Sequence, residues 1–218
     1  MRYRPFFYAL TDEGGVADLV AAWDFCFDPR TLAAFRKWLM QQYGSLDAIN
    51  AEWGTKFRKL AEVVPLSTDE MMARSAEAAR RGALLERDNF SPWADHRLFM
   101  NKAFADAVGA GTRAVREVDP TARAGLVGCQ MPAAFGGYDY AKLMRKIQFI
   151  EAYDYGDSQA VIRSFNPHNA LPQVTTHFHR NVRDTIWQTW YYLAEGNRGF
   201  IGWVEGWFDG DRPRPWHD

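Results

Sequence analysis

Ala124-Gly125-Leu126-Val127-Gly128, Phe149-Ile150-Glu151-Ala152-Tyr153-Asp154, Val174-Thr175-Thr176-His177-Phe178 and Gly199-Phe200-Ile201-Gly202-Trp203-Val204 are short apolar runs whose spacing decides the fold. Each has the length and composition of a buried strand. Between the first two, Asp139 to Lys146 reads as a helix with Leu143 and Ile147 facing in. Before the last, Asn181 to Glu195 reads as a helix closed by Gly196. Strands that alternate with helices imply parallel β/α units.

Working outward, Phe6-Phe7-Tyr8-Ala9-Leu10 reads as a further buried strand, running into the acid- and glycine-bearing loop Thr11-Asp12-Glu13-Gly14-Gly15. That makes five strands. Residues 29–90 read as a helical insertion after the first. Asp28-Pro29 starts a helix carrying Leu32, Phe35, Leu39 and Tyr43, and Gly44 ends it. Leu46, Ile49 and Trp53 share one face of the next. Ser67-Thr68-Asp69-Glu70 is a capping box. Ser91-Pro92 opens a longer helix that stops at Asp119-Pro120. No repeat or flexible linker interrupts the chain, so residues 1–218 read as a single domain. The fold class is α/β, a partial TIM-type (β/α) barrel, because five parallel strands are too few to close an eight-stranded one. Unpaired edge strands invite pairing with another chain. A homo-oligomer, or a missing N-terminal part, is therefore expected.

Composition removes several functions. Lys+Arg is 26 and Asp+Glu 27, a formal net charge of −1 that leaves no overall footprint for nucleic acid. No apolar run approaches the ~20 residues that span a bilayer, and Met1-Arg2-Tyr3-Arg4-Pro5 does not open a secretory signal. Cys26 and Cys129 have neither disulfide-framework nor metal spacing and read as two buried thiols. Aromatic residues make up 15% of the chain, nine of them Trp, an excess that suits stacking against the apolar faces of sugar rings.

Four motifs add a resemblance. They are Thr11-Asp12-Glu13-Gly14, Phe25-Cys26-Phe27-Asp28-Pro29, Phe35-Arg36-Lys37-Trp38-Leu39, and the run from Tyr43-Gly44 through Asn50-Ala51-Glu52-Trp53-Gly54-Thr55-Lys56-Phe57. This series resembles the family 42 glycoside hydrolases, which are β-galactosidase-like. The resemblance implies that the chain corresponds to about strands four to eight of the barrel. It implies hydrolysis of a glycosidic bond, on a β-galactoside or related sugar, without a cofactor. It would make Glu13 the general acid/base, with Asp12 standing where that group usually shows an Asn that binds the sugar 2-hydroxyl. The family's nucleophile, a Glu at the end of strand seven, has no counterpart in Val174-Thr175-Thr176-His177-Phe178-His179.

A glycosidase needs two carboxylates, one protonated and one ionised. Glu205, in Gly202-Trp203-Val204-Glu205-Gly206-Trp207, is the expected partner of Glu13, with Asp154 and Asp157 as alternatives at strand tips on the same rim. Otherwise Glu13 caps its loop and Glu205 pairs with Arg198. Tyr153, Asp154, Asp157, His177 and Trp203 are expected to line a sugar pocket beside Asp12, Trp203 as a stacking platform. Trp187 and Trp190 are expected to pack against the sheet. Two rival functions remain. One is a carbohydrate-binding barrel portion that has lost its nucleophile. The other is a metal-dependent hydrolase using His177 and His179, two imidazoles on one strand face.

Overall fold

The computed structural model describes residues 5–17, 21–82, 89–133, 135–166, 170–177 and 182–202. The chain divides into two compact units, one of residues 1–15, 105–133 and 138–218, the other of residues 16–104 and 134–137.

The first unit holds the sheet. Its strands are β1 (Tyr8–Asp12), β2 (Ala124–Cys129), β3 (Phe149–Ala152), β4 (Gln173–His177) and β5 (Phe200–Gly202). All four pairings are parallel and the spatial order is β1-β2-β3-β4-β5. Sequential parallel order requires a crossover after each strand. The connections from β2 onward carry α5 (Tyr140–Leu143), α6 (Ser158–Ser164) and α7 (Val182–Ala194). The strands thus fall where the hydrophobic runs place them. Helix α6 is a departure: it follows two consecutive left-handed residues, Gly156 and Asp157, and is too short to show an apolar stripe. Helix α5 is shorter than its pattern suggests, starting where the Asp139 carboxylate accepts the Lys142 amide.

Two glycines let this unit close up. A Cβ on Gly125 would stand 1.8 Å from the Phe149 carbonyl oxygen of the neighbouring strand. A Cβ on Gly111 would stand 3.2 Å from the Leu10 side chain. Leu126 of β2, Ile150 of β3, Leu143 of α5 and Ile162 of α6 are buried in this unit.

Helix α7 corrects one expectation. Trp187 and Trp190 are 63% and 70% exposed, and Trp187 stacks on Tyr191 rather than on the sheet. Tyr192 is the buried residue of that helix. Cys129 is buried and Cys26 half-buried, and both are free thiols.

The second unit contains α1 (Pro29–Tyr43), α2 (Leu46–Trp53) and α3 (Thr68–Arg80). Helix α4 (Ser91–Val118) contributes its residues up to 104 here and the rest to the first unit. The caps read from sequence are formed. Asp28 accepts the Arg30 and Thr31 amides. Ser67 and Glu70 make the reciprocal box. Gly44 and Gly54 take left-handed φ values of 79° and 67° to end α1 and α2. Phe35, Leu39, Ile49, Trp53, Val63, Phe99 and Met100 form its core.

His96 lies fully buried in this unit, edge-on to Phe35 and against Phe27. Burial, and then the Arg97 charge, push its pKa down to about 4. Between about pH 6.5 and 4 the unfolded chain binds a proton here that the folded chain refuses. Stability is therefore held above that window and lost as pH falls through it, by about 3 kcal/mol in full. Urea unfolding from pH 7.5 to 4.5 should show this slope, and His96→Phe should flatten it.

Candidate active site

The site is built where β1 stops. Sheet register slips between Ala9 and Asp12 and again between Leu126 and Cys129. Such irregularities re-aim side chains at the ends of strands. Glu13 follows with φ 51°, a left-handed backbone unusual for a non-glycine residue. Its amide donates to the Val127 carbonyl at 3.1 Å, which keeps this turn on the sheet. Gly14 fits because any Cβ would lie 2.2 Å from the Thr11 hydroxyl oxygen. The Gly14 carbonyl accepts from the Tyr138 hydroxyl at 2.7 Å. Burial pushes the Tyr138 phenol well above its usual range, so it stays a donor.

Tyr153, just beyond β3, donates its hydroxyl to Glu13 Oε1 at 2.8 Å. No hydrogen bond holds Oε2 among the described residues. Half-burial and the Glu13 carboxylate both hold the Tyr153 proton in place. Asp12 and Glu13 are themselves exposed.

A third carboxylate stands behind them. Glu151 is 2% exposed, and alternation along the strand puts it on the same face as Tyr153. Its Oε2 accepts the Gly128 amide at 2.5 Å and its Oε1 accepts the Thr176 hydroxyl at 2.5 Å. Burial raises its pKa. The two hydrogen bonds oppose that, and the nearby Asp12 and Glu13 charges add to it. Glu151 thus keeps its proton to higher pH than an ordinary glutamate. Sequence reading passed over it as part of an apolar strand. The available signal was a lone acid inside Phe149-Ile150-Glu151-Ala152, since buried acids need partners.

Gly128 joins these groups. Its φ is 66°, and a Cβ there would lie 2.5 Å from Asp12 Oδ1, 2.6 Å from Glu13 Cγ and 2.7 Å from the Glu13 amide nitrogen. Gly128→Ala is expected to cost about 2 kcal/mol or more, combining left-handed strain with collision against a backbone atom. Gly44→Ala is the control: its φ is 79° but nothing lies within 4 Å, so it pays the strain alone. Denaturant unfolding of the two variants separates the contact from the strain.

Among the described residues, Asp154, Asp157 and His177 make no hydrogen bond to Glu13. Asp154 is half-buried, and its carboxyl is raised by burial and then by Asp157 and Glu195. The Asp154 charge in turn raises the Tyr191 phenol of α7 and, after burial, the Tyr192 phenol. Asp157 is exposed and precedes α6 with φ 55°. His177 does not join the carboxylates. It is 4% exposed, with its ring against Phe200 at 4.3 Å and Tyr192 at 5.2 Å. It alternates with Thr176, so when Thr176 reaches Glu151 the imidazole must point to the other face. Glu205, Trp203 and His179 lie outside the described residues. Among the described residues, no group of three His, Cys, Asp or Glu is arranged to hold a metal ion, and no helix is long and apolar enough to cross a membrane.

The site therefore offers an exposed carboxylate fixed by a tyrosine at the carboxyl end of a parallel strand. The sequence profile of glycoside hydrolase family 42, described as Beta-galactosidase, matches residues 18–204. The chain belongs to that family. The family 42 chain also resembles the catalytic domain of beta-amylase from Paenibacillus polymyxa, with a TM-score of 0.58 and 18% identity. That likeness covers 81% of this chain and 49% of the other, so the family 42 chain spans about half the length of that domain. An agarase, AgWH50C, matches at a TM-score of 0.48 and 14% identity, over 83% of this chain and 26% of that one. A search of curated proteins finds no significant match. The five parallel strands with their helices form a partial barrel of the TIM type.

Proposed function

We propose that this chain cleaves a glycosidic bond, with Glu13 as the general acid/base. The observation that carries the reading is the Tyr153 hydroxyl on Glu13 Oε1. It fixes one carboxylate oxygen and leaves Oε2 for the proton delivered to the leaving-group oxygen. Asp12, exposed beside it, is positioned to accept a hydrogen bond from a sugar hydroxyl, and an aspartate can only accept. Glu151 acts from behind by holding Gly128 against the Asp12–Glu13 turn. Glu205 is proposed as the second carboxylate and Trp203 as the stacking platform. A β-galactoside is the proposed substrate, since the family is described as β-galactosidase.

The test compares the protein with Glu13→Gln on nitrophenyl β-galactoside and a panel of other nitrophenyl glycosides. Galactose binding is measured in parallel. Lost turnover with retained binding supports the assignment, and unchanged turnover refutes it. A specific observation favours one other reading, a carbohydrate-binding protein without catalysis. The tip of β4 carries His177, whose ring packs against Phe200 and Tyr192, and β4 itself offers no carboxylate. Galactose binding by a protein with no turnover on any substrate would select it.

A further inference from the structure

A cleft lies at the opposite end of the sheet from Glu13. It measures about 560 Å³ and sits between the C-terminal half of α4 and the residues leading into β3. Its charged lining is Arg113, Arg116, Arg145 and Lys146, with Glu117 as the acid among them. All belong to the first unit.

The wall is fixed rather than loose. The Thr112 hydroxyl donates between the Lys146 carbonyl at 2.8 Å and the Gly109 carbonyl at 3.0 Å, tying α4 to the turn before β3. Gly109 permits the approach, because a Cβ there would stand 3.0 Å from Lys146 Cδ. Lys146 reaches Asp106 at 3.4 Å and is partly neutralised. Arg113, Arg116 and Arg145 make no ion pair among the described residues. Arg113 and Arg116 are three apart on α4 and share a face, a like-charge arrangement that costs stability unless an anion offsets it. Guanidinium groups match tetrahedral oxyanions through paired N–H donors. The volume lies in the range of small-molecule clefts and exceeds what a bare ion fills.

We propose that this cleft binds a tetrahedral oxyanion, phosphate or sulfate, either free or as an ester on a small molecule. The proposal is independent of the role of Glu13. The net charge of −1 conceals the site, because it averages the cluster with acids elsewhere.

The experiment is calorimetric titration of the full chain at constant ionic strength with sodium phosphate, sodium sulfate, glucose 6-phosphate, glucose and sodium chloride. Saturable binding of phosphate or sulfate is expected, weakening as salt rises. Tighter binding of glucose 6-phosphate than of inorganic phosphate identifies an ester as the ligand; the reverse identifies the free ion. Arg113→Ala with Arg145→Ala should weaken binding about tenfold or more, as expected for lost charge-assisted hydrogen bonds. Both side chains are exposed, so the far-ultraviolet circular dichroism should not change. Arg116→Gln alone provides a milder second variant, with a partial loss of affinity. No saturable binding, binding matched by chloride, or affinity unchanged in both variants would overturn the proposal.

Discussion

A Glu13→Gln variant is expected to lose turnover roughly 10²–10⁴-fold, the usual contribution of a positioned proton donor. The substitution is close to isosteric. Its amide oxygen still accepts from Tyr153, so the geometry of the loop and the hydrogen bond at 2.8 Å survive. What disappears is the exchangeable proton on the second oxygen. The KM should therefore change far less than kcat, and a leaving group that departs without protonation should be least affected. Tyr153→Phe makes a useful comparison. It keeps the proton on Glu13 but frees the carboxylate to rotate, so its loss should be smaller, about tenfold, and expressed as misplacement rather than absence of the acid. A Glu13→Gln protein with full activity would remove Glu13 from the mechanism.

The balance between what the sequence disclosed and what it concealed follows from the kind of signal each residue leaves. The strands were legible because buried parallel strands are continuous apolar runs, as at Leu126 and Ile150. Their order was legible because consecutive β/α units place consecutive strands side by side. Glu13 stood out as an acid at a strand tip. Its hydrogen bond to Tyr153 did not, because it joins residues 140 positions apart. Glu151 was hidden for the same reason: its partners, Gly128 and Thr176, come from two other strands. His177 misled because alternation fixes which residues share a face but not which face is which. Thr176 settles that only once its contact with Glu151 is seen.

The longest of the four motifs, the run from Tyr43 to Phe57, holds the helical unit together. Asn50 accepts from the Phe57 amide and the Thr55 hydroxyl and donates to the Phe57 carbonyl, all at 2.9 Å. Gly54 ends α2 so that this loop can turn. Tyr43 and Trp53 both donate to Asp95 Oδ2, each at 2.8 Å. Signature residues of this kind report the helical unit, whereas the proposed chemistry rests on the few groups around Glu13.

That reading of the motif makes Asp95→Ala the second large effect. Asp95 is 7% exposed and receives two donors from different helices. Hydrogen bonds to a charged group contribute about 1.5–3 kcal/mol each, so removing the shared acceptor should cost about 3–6 kcal/mol. The Trp53 indole N–H would be left buried with no acceptor, beside a core packed around Phe35 and Ile49. Asp95→Asn is expected to fall between the variant and the parent protein. Its amide oxygen can still accept, but its NH₂ group confronts donors and the charge assistance is gone. Because the second unit contains these residues and the first contains Glu13, the loss should appear in denaturant unfolding followed by Trp fluorescence. An Asp95→Ala protein that unfolds at the parent's denaturant midpoint would show that the Tyr43–Asp95–Trp53 contacts contribute nothing net, and the structural reading of the motif would then fail.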